Sequence, residues 1–240
     1  FGGTKLKFKE GKMLFYKFLY WLVYQFFKKR VEKEGLGNLP KTEGFIIAPN
    51  HEASYDPLII AAALKEFVYQ HFLPFGKKIY FLGSTQLKSR FLEYSVISFL
   101  INLFQEKIGY LPANRFGLKR ALTLLAQNNI VVIFPEGKRN TRKILERGRK
   151  GVAVLALLSG KKVVPTGCFG PPTQNLWQKV VNLFSRRRVK FGFPIQFPQL
   201  NQEKLDHHPF LLKMTLDIIM EKIAKISEKN YLIMSCRNVP

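Results

Sequence analysis

Residues 45–66 read FIIAPNHEASYDPLIIAAALKE. The apolar run Phe45–Ala48 stops at Pro49-Asn50, and a helical pattern begins at Pro57, the first-turn position where proline is best tolerated. A strand over Phe45–Ala48, a polar turn and a helix over Pro57–Glu66 are therefore expected. The same alternation recurs downstream. Ile79–Leu82, Ile108–Leu111, Lys162–Pro165 and Val189–Phe193 are short β-rich runs. Ile130–Phe134 (IVVIF) is continuously apolar, as befits a strand buried on both faces. Helical patterns occupy Phe116–Gln127, Lys150–Leu158 and the amphipathic stretch Pro209–Ser227. Strands alternating with helices predict one α/β domain with a mixed central sheet flanked by helices. No repeat or long linker interrupts the 240 residues.

Composition narrows the class of partner. Hydrophobic residues make up 47% of the chain, which excludes a disordered protein. Lys and Arg number 39 against 16 Asp and Glu, a net charge of +23, so the expected partners are anionic: nucleic acid, an acidic membrane or an acidic carrier. The basic residues are scattered and form no nucleic-acid-binding motif, which argues against the first of these. The two cysteines, Cys168 and Cys236, lack C-x-x-C spacing, and the four histidines show no ligand spacing. Neither a disulfide framework nor a metal site is expected.

Residues 13–27, MLFYKFLYWLVYQFF, are the strongest anomaly in the chain. At about 100° per residue, Phe15, Phe18, Leu19, Leu22, Val23 and Phe26 fall on one helix face. Tyr16, Tyr20 and Tyr24 fall on the other, near Lys17 and Trp21. Tyr and Trp favour headgroup depth and Lys favours anionic phosphate, so a helix lying in a membrane interface is expected, with Lys28-Lys29-Arg30 against acidic lipid. A buried core helix and a short transmembrane span are the alternatives, and no small-residue cleavage site follows to make it a signal peptide. Phe91–Phe104 is a second apolar stretch, a core helix or a membrane-dipping one. Residues 1–38 are read as the membrane-associating segment, ahead of a domain over 39–240.

Three polar clusters stand where strands end. In Asn50–Asp56, five residues separate His51 from Asp56, so a tight turn can fold the carboxylate back onto the imidazole. A carboxylate on one ring nitrogen fixes the tautomer and leaves the other nitrogen as a base. Asp56 ahead of Pro57 also reads as a helix N-cap, and that alternative stays open. Phe134–Arg139 (FPEGKR) closes the IVVIF run at the same sheet edge. There Gly137 permits close backbone approach, Glu136 can hold a hydroxyl, and Lys138 and Arg139 can hold a phosphate. Arg115 follows the run at Ile108–Leu111 and can clamp phosphate bidentately, or simply be a surface arginine.

His-x₄-Asp, G-x₅-R, FPEG-x-R and Val163-Val164-Pro165, in that order over roughly residues 40–170, resemble the glycerolipid acyltransferase family, its lysophosphatidic acid acyltransferases above all. Lys150-Gly151 resembles the family's link between its third and fourth motifs. Ala53 stands where the family usually has Ser, and Lys138-Arg139-Asn140 where it usually has Thr-Arg-Ser. The resemblance implies an acyltransferase domain over 39–240 that moves a fatty acyl group directly from a thioester to the sn-2 hydroxyl of lysophosphatidic acid, giving phosphatidic acid. His51 would be the base and Asp56 its orienting partner. Arg115, Arg139 and Lys138 would bind the acceptor phosphate, with Glu136 and Gly137 shaping the glycerol site. It implies no cofactor and no metal, acyl-carrier protein or acyl-CoA as donor, a lysophospholipid acceptor, and a place on the cytoplasmic face of the cell membrane. Glycerol 3-phosphate, another lysophospholipid or a glycolipid is the alternative acceptor. A membrane-binding protein with an inactive site is disfavoured by the intact His51 and Asp56.

Overall fold

The apolar runs fold as strands whose alternate residues enter two different cores. The computed structural model describes residues 25, 28–53, 55–83, 109–171, 178, 182 and 184–231. Seven strands make one sheet: β1 Val31–Glu34, β2 Ile46–Pro49, β3 Ile79–Gly83, β4 Gly109–Pro112, β5 Ile130–Ile133, β6 Val163–Phe169 and β7 Arg187–Phe191. The helices are α1 Asp56–His71, α2 Arg115–Ala126, α3 Gly151–Ser159, α4 Gln202–His207 and α5 Pro209–Ser227.

The sheet order is β1-β7-β6-β2-β5-β3-β4. The block from β6 to β4 is parallel, β7 runs antiparallel to β6, and β1 runs parallel to β7. The expected mixed sheet in a single α/β domain is therefore observed. Phe45, Ile47, Ile130, Val132 and Val164 face one core, which α1 covers with Leu58, Ile59 and Ala63. Ile46, Ala48, Val131, Ile133 and Val163 face the other, covered by α2, α3 and α5. Both β2 and β5 are buried at every residue, as expected for central strands packed on two faces.

Most expected elements lie within a few residues of their expected ends, and α5 spans Pro209–Ser227 as read. The largest shifts are in α1, which continues five residues past Glu66 to His71, and in β6, which continues to Phe169 because Thr166–Phe169 pairs with β7. The sequence reading missed β1. Its residues VEKE bury only Val31, because an edge strand has one neighbour and leaves its charges in water. This strand pairs with β7, so residues 31–34, assigned from sequence to the N-terminal segment, join the sheet.

Of the expected interface segment 13–27, all but Gln25 lies outside the described residues, as do Phe91–Phe104, Ser54, Ile108 and Cys236. Among the described residues no helix is long and apolar enough to cross a membrane.

Candidate active site

Parallel strands deliver their C-terminal ends to one sheet edge, where loops rather than strand pairs must satisfy the backbone. Here β2 delivers His51, β5 delivers Glu136 and β4 delivers Arg115 to that edge. Asn50, fully buried, seals the end of β2. Its Nδ2 donates to the Cys168 carbonyl at 3.1 Å, and its Oδ1 accepts from the Cys168 N–H at 2.7 Å. The side-chain amide thus continues the pairing with β6 one residue past the strand and fixes where His51 emerges.

The turn closes on Asp56. Its Oδ2 accepts from His51 Nδ1 at 2.9 Å and from the Glu52 and Ala53 amides at 2.7 Å each. A carboxylate oxygen that accepts from two amides has no hydrogen to give the ring, so Nδ1 carries the hydrogen and Nε2 presents its lone pair. Asp56 itself is the first residue of α1, the N-cap position is Tyr55, and no side chain caps the helix there. The N-cap alternative is therefore replaced by a carboxylate turned back onto the loop. Asp56 is 2% exposed and the His51 side chain 18%, so the acid is sealed beneath a ring that water reaches. The ring also packs against Phe134, with centroids 4.3 Å apart.

Glu136 stands behind the histidine. Its Oε1 accepts from the His51 amide at 3.3 Å, and its Oε2 accepts from Asn140 Nδ2 at 2.7 Å and the Glu146 amide at 3.0 Å. Both oxygens of this buried carboxylate serve protein donors, so it braces the loop, whereas the sequence suggested a hydroxyl ligand. The Asn140 amide donates to the His51 carbonyl at 2.6 Å, which ties the loop after β2 to the loop after β5, the first and third of the edge loops in chain order. Gly137 turns with φ +65°, and the Arg149 side chain lies where a Cβ would stand.

The expected phosphate ligands are exposed on the same edge. Lys138 pairs with Glu146 at 3.2 Å, and Arg139 follows it. Arg115 opens α2, whose N-cap Asn114 accepts from the Gly117 amide at 2.9 Å. Three strand steps separate β4 from β2, about 14 Å at the usual spacing, so Arg115 flanks the histidine from a distance. Lys28 pairs with Glu66 at 2.9 Å, and Arg30 Nε donates to the Phe184 carbonyl at 3.2 Å.

Sequence reasoning missed Asn50, Glu52, Asn140 and Lys229. Glu52 Oε1 meets Lys229 Nζ at 2.9 Å beside the dyad. Burial pushes the Glu52 carboxyl up, against the opposing pull of Lys229. A legible signal existed for Asn50 alone: an amide directly after a fully buried strand has to find partners.

A family model described as Acyltransferase matches residues 30–168. A 1-acyl-sn-glycerol-3-phosphate acyltransferase of Borreliella burgdorferi is 26% identical over 152 residues, which cover 60% of this chain and 52% of that protein. The match thus spans about half the length of that curated relative. The crystal structure of the 1-acyl-sn-glycerophosphate acyltransferase PlsC from Thermotoga maritima superposes with a TM-score of 0.52 at 19% identity, covering 89% of this chain and 88% of that one. At that identity the likeness is one of fold.

Proposed function

Since the chain belongs to the acyltransferase family, whose model spans residues 30–168, we propose that it acylates the sn-2 hydroxyl of lysophosphatidic acid from an acyl thioester and forms phosphatidic acid. The observation that carries this reading is the contact of His51 Nδ1 with Asp56 Oδ2 at 2.9 Å, which leaves Nε2 as the basic nitrogen of a ring that is partly open to solvent. The acceptor hydroxyl gives its proton to Nε2 as its oxygen attacks the thioester carbonyl. The C–S bond then breaks, and the imidazolium returns the proton to the leaving thiolate. No covalent acyl-enzyme is required. Base assistance of this kind contributes about 10²–10⁴ in rate.

Arg115, Arg139 and Lys138 hold the acceptor phosphate. The partner of Lys138, Glu146, is displaced at little cost, because exposed pairs contribute only about 0–1 kcal/mol. Gly137 keeps the third loop close to the glycerol, while Glu136 secures the His51 backbone from behind. The donor is acyl-CoA or acyl-carrier protein. Either is anionic and suits a chain of net charge +23.

The acceptor is a membrane amphiphile, and drawing its chain into water costs about 0.8 kcal/mol per methylene, so the enzyme works at an anionic membrane surface on the cytoplasmic face. The topology supports this placement. Because β1 runs antiparallel to β2, Lys28-Lys29-Arg30 enter the sheet at the edge that carries His51, and residues 13–27 precede them.

The test offers purified protein lysophosphatidic acid, glycerol 3-phosphate, lysophosphatidylethanolamine and a deacylated glycolipid, each with palmitoyl-CoA and palmitoyl-acyl-carrier protein. Products are identified by mass, and vesicle flotation is measured alongside. Lysophosphatidic acid is expected to be the fastest acceptor, and His51→Ala to lose at least about 100-fold in kcat while keeping its fold and its flotation. A faster glycerol 3-phosphate or glycolipid reaction would replace the acceptor. An active His51→Ala would remove the mechanism.

A further inference from the structure

The C-terminal end of α5 returns to the catalytic loops. Glu228 leaves the helix in the left-handed region, with φ 56°, and the Lys229 amide still donates to Ala224 at 2.9 Å. The next residue forms a bridge with the third loop. The Asn230 amide donates to the Lys143 carbonyl and the Leu145 amide to the Asn230 carbonyl, both at 2.8 Å. From this strap the Lys229 side chain, 6% exposed, runs inward. Its ammonium donates to Glu52 at 2.9 Å and to the Asn140 carbonyl at 3.0 Å.

Those two acceptors belong to the two loops that make the site. Glu52 is the residue after His51. Asn140 gives its own amide to the His51 carbonyl and its side chain to Glu136. We propose that Lys229 is a positioning residue for the His51–Asp56 dyad, joining the first and third loops across the sheet edge from the far end of the chain. This rests on reading His51 as the base.

Stability alone is a poor explanation for the contact. A buried ion pair loses the hydration of both charges, and a well-packed apolar pair often does as well or better. The electrostatics give the ammonium a further task. Glu52 lies close enough to Asp56 that each carboxylate opposes the other's charge, and Lys229 with Arg187 supplies the cations that face Glu52. Without Lys229, Glu52 would be left half-sealed next to a second carboxylate and would turn toward water, pulling the loop that carries His51 with it. The geometry therefore predicts a loss in turnover rather than in substrate binding, since Lys229 is too buried to touch either substrate.

Lys229→Met keeps the stem and removes the ammonium. Assayed with lysophosphatidic acid in anionic vesicles and palmitoyl thioester, it is expected to lose about tenfold in kcat per folded molecule, with KM for both substrates within about twofold of wild type. Tyr231→Phe is the control. It breaks the 2.9 Å bond from Tyr231 to Asp217 on the same strap without touching either loop, and should lower Tm while leaving kcat unchanged. Should Lys229→Met not fold, Glu52→Ala, which cuts the same tie from the other loop, is expected to show the same split between kcat and KM. Hydrogen exchange supplies a readout independent of turnover: the Asn140 amide should exchange at least about tenfold faster in Lys229→Met while amides of β5 and β6 stay protected. A kcat within twofold of wild type, or equal losses in Lys229→Met and Tyr231→Phe, overturns the proposal and leaves the function standing. If the wild-type protein turns over none of the acceptors, the proposed function fails instead, and Asn140 exchange alone decides: faster in Lys229→Met upholds the tie, unchanged overturns it.

Discussion

Asp56 gathers three N–H groups on a single carboxylate oxygen, one from the His51 ring and two from the loop backbone. Asp56→Asn tests the division between these tasks. With its amide oxygen in the place of Oδ2, asparagine can keep all three bonds. It loses the negative charge that offsets the imidazolium formed when Nε2 takes the acceptor's proton. The variant is expected to fold with Tm within a few degrees of wild type and to lose at least about 100-fold in kcat. Steady-state kinetics beside thermal unfolding check this, and near-normal turnover would mean that Asp56 serves the loop alone. At this scale His51 and Asp56 were legible from the order of the four motifs, not from their own spacing, which also fits Asp56 as a helix N-cap. Glu136 was legible as a polar group at the sheet edge, but its bond to the His51 amide was not, since nothing in FPEGKR reveals that His51, 85 residues earlier, would donate to it.

Among the elements, α2 shows how a helix start can be held to a strand end. Gly117 lies against β4 so closely that a Cβ would stand 1.8 Å from the Pro112 carbonyl oxygen. The Gly117 amide is also the donor to the N-cap Asn114. Gly117→Ala must push the first turn of α2 off the sheet, and Arg115 is the residue that opens this turn. A loss of about 1–3 kcal/mol in unfolding free energy is expected, from the strain of inserting a methyl into a packed contact. A higher KM for phosphate-bearing acceptors should accompany it. Chemical denaturation and acceptor titration measure the two effects, and unchanged values of both would place Arg115 outside the acceptor site. A helix pattern over 116–127 was readable from periodicity, but the close approach at Gly117 was not, because a glycine in a helix looks alike whether or not backbone lies above it.

Over the whole molecule, three of the described tyrosines bear on stability at alkaline pH. Burial pushes the Tyr110 phenol up to about 12 from 10.0, and it raises Tyr55 and Tyr231 as well. The folded chain holds these protons more tightly than the unfolded chain, so their contribution is complete below pH 10 and is lost as pH rises through about 12. The urea midpoint is expected to be insensitive to these groups between pH 7 and 9 and to fall above pH 10. Tyr110→Phe should flatten part of that fall. An equally steep decline in the variant would assign the alkaline limit to other groups.

The sequence alone determined the α/β alternation, because strands buried on both faces must be continuously apolar and α5 must show one apolar face. It allowed the pairing of His51 with Asp56, because both lie within one turn, but only the structure removed the N-cap alternative for Asp56. Contacts across the sheet were decided only by the tertiary structure. The edge strand β1 was hidden because one-sided pairing leaves its charges in water. Lys229 was hidden because 177 residues of chain separate it from Glu52, and its closeness to the dyad exists only once α5 packs across the sheet. Residue type and spacing record what a chain does within a turn or along a strand. Which loops meet at an edge depends on the order in which strands pair, here β6-β2-β5, and no local pattern carries that order.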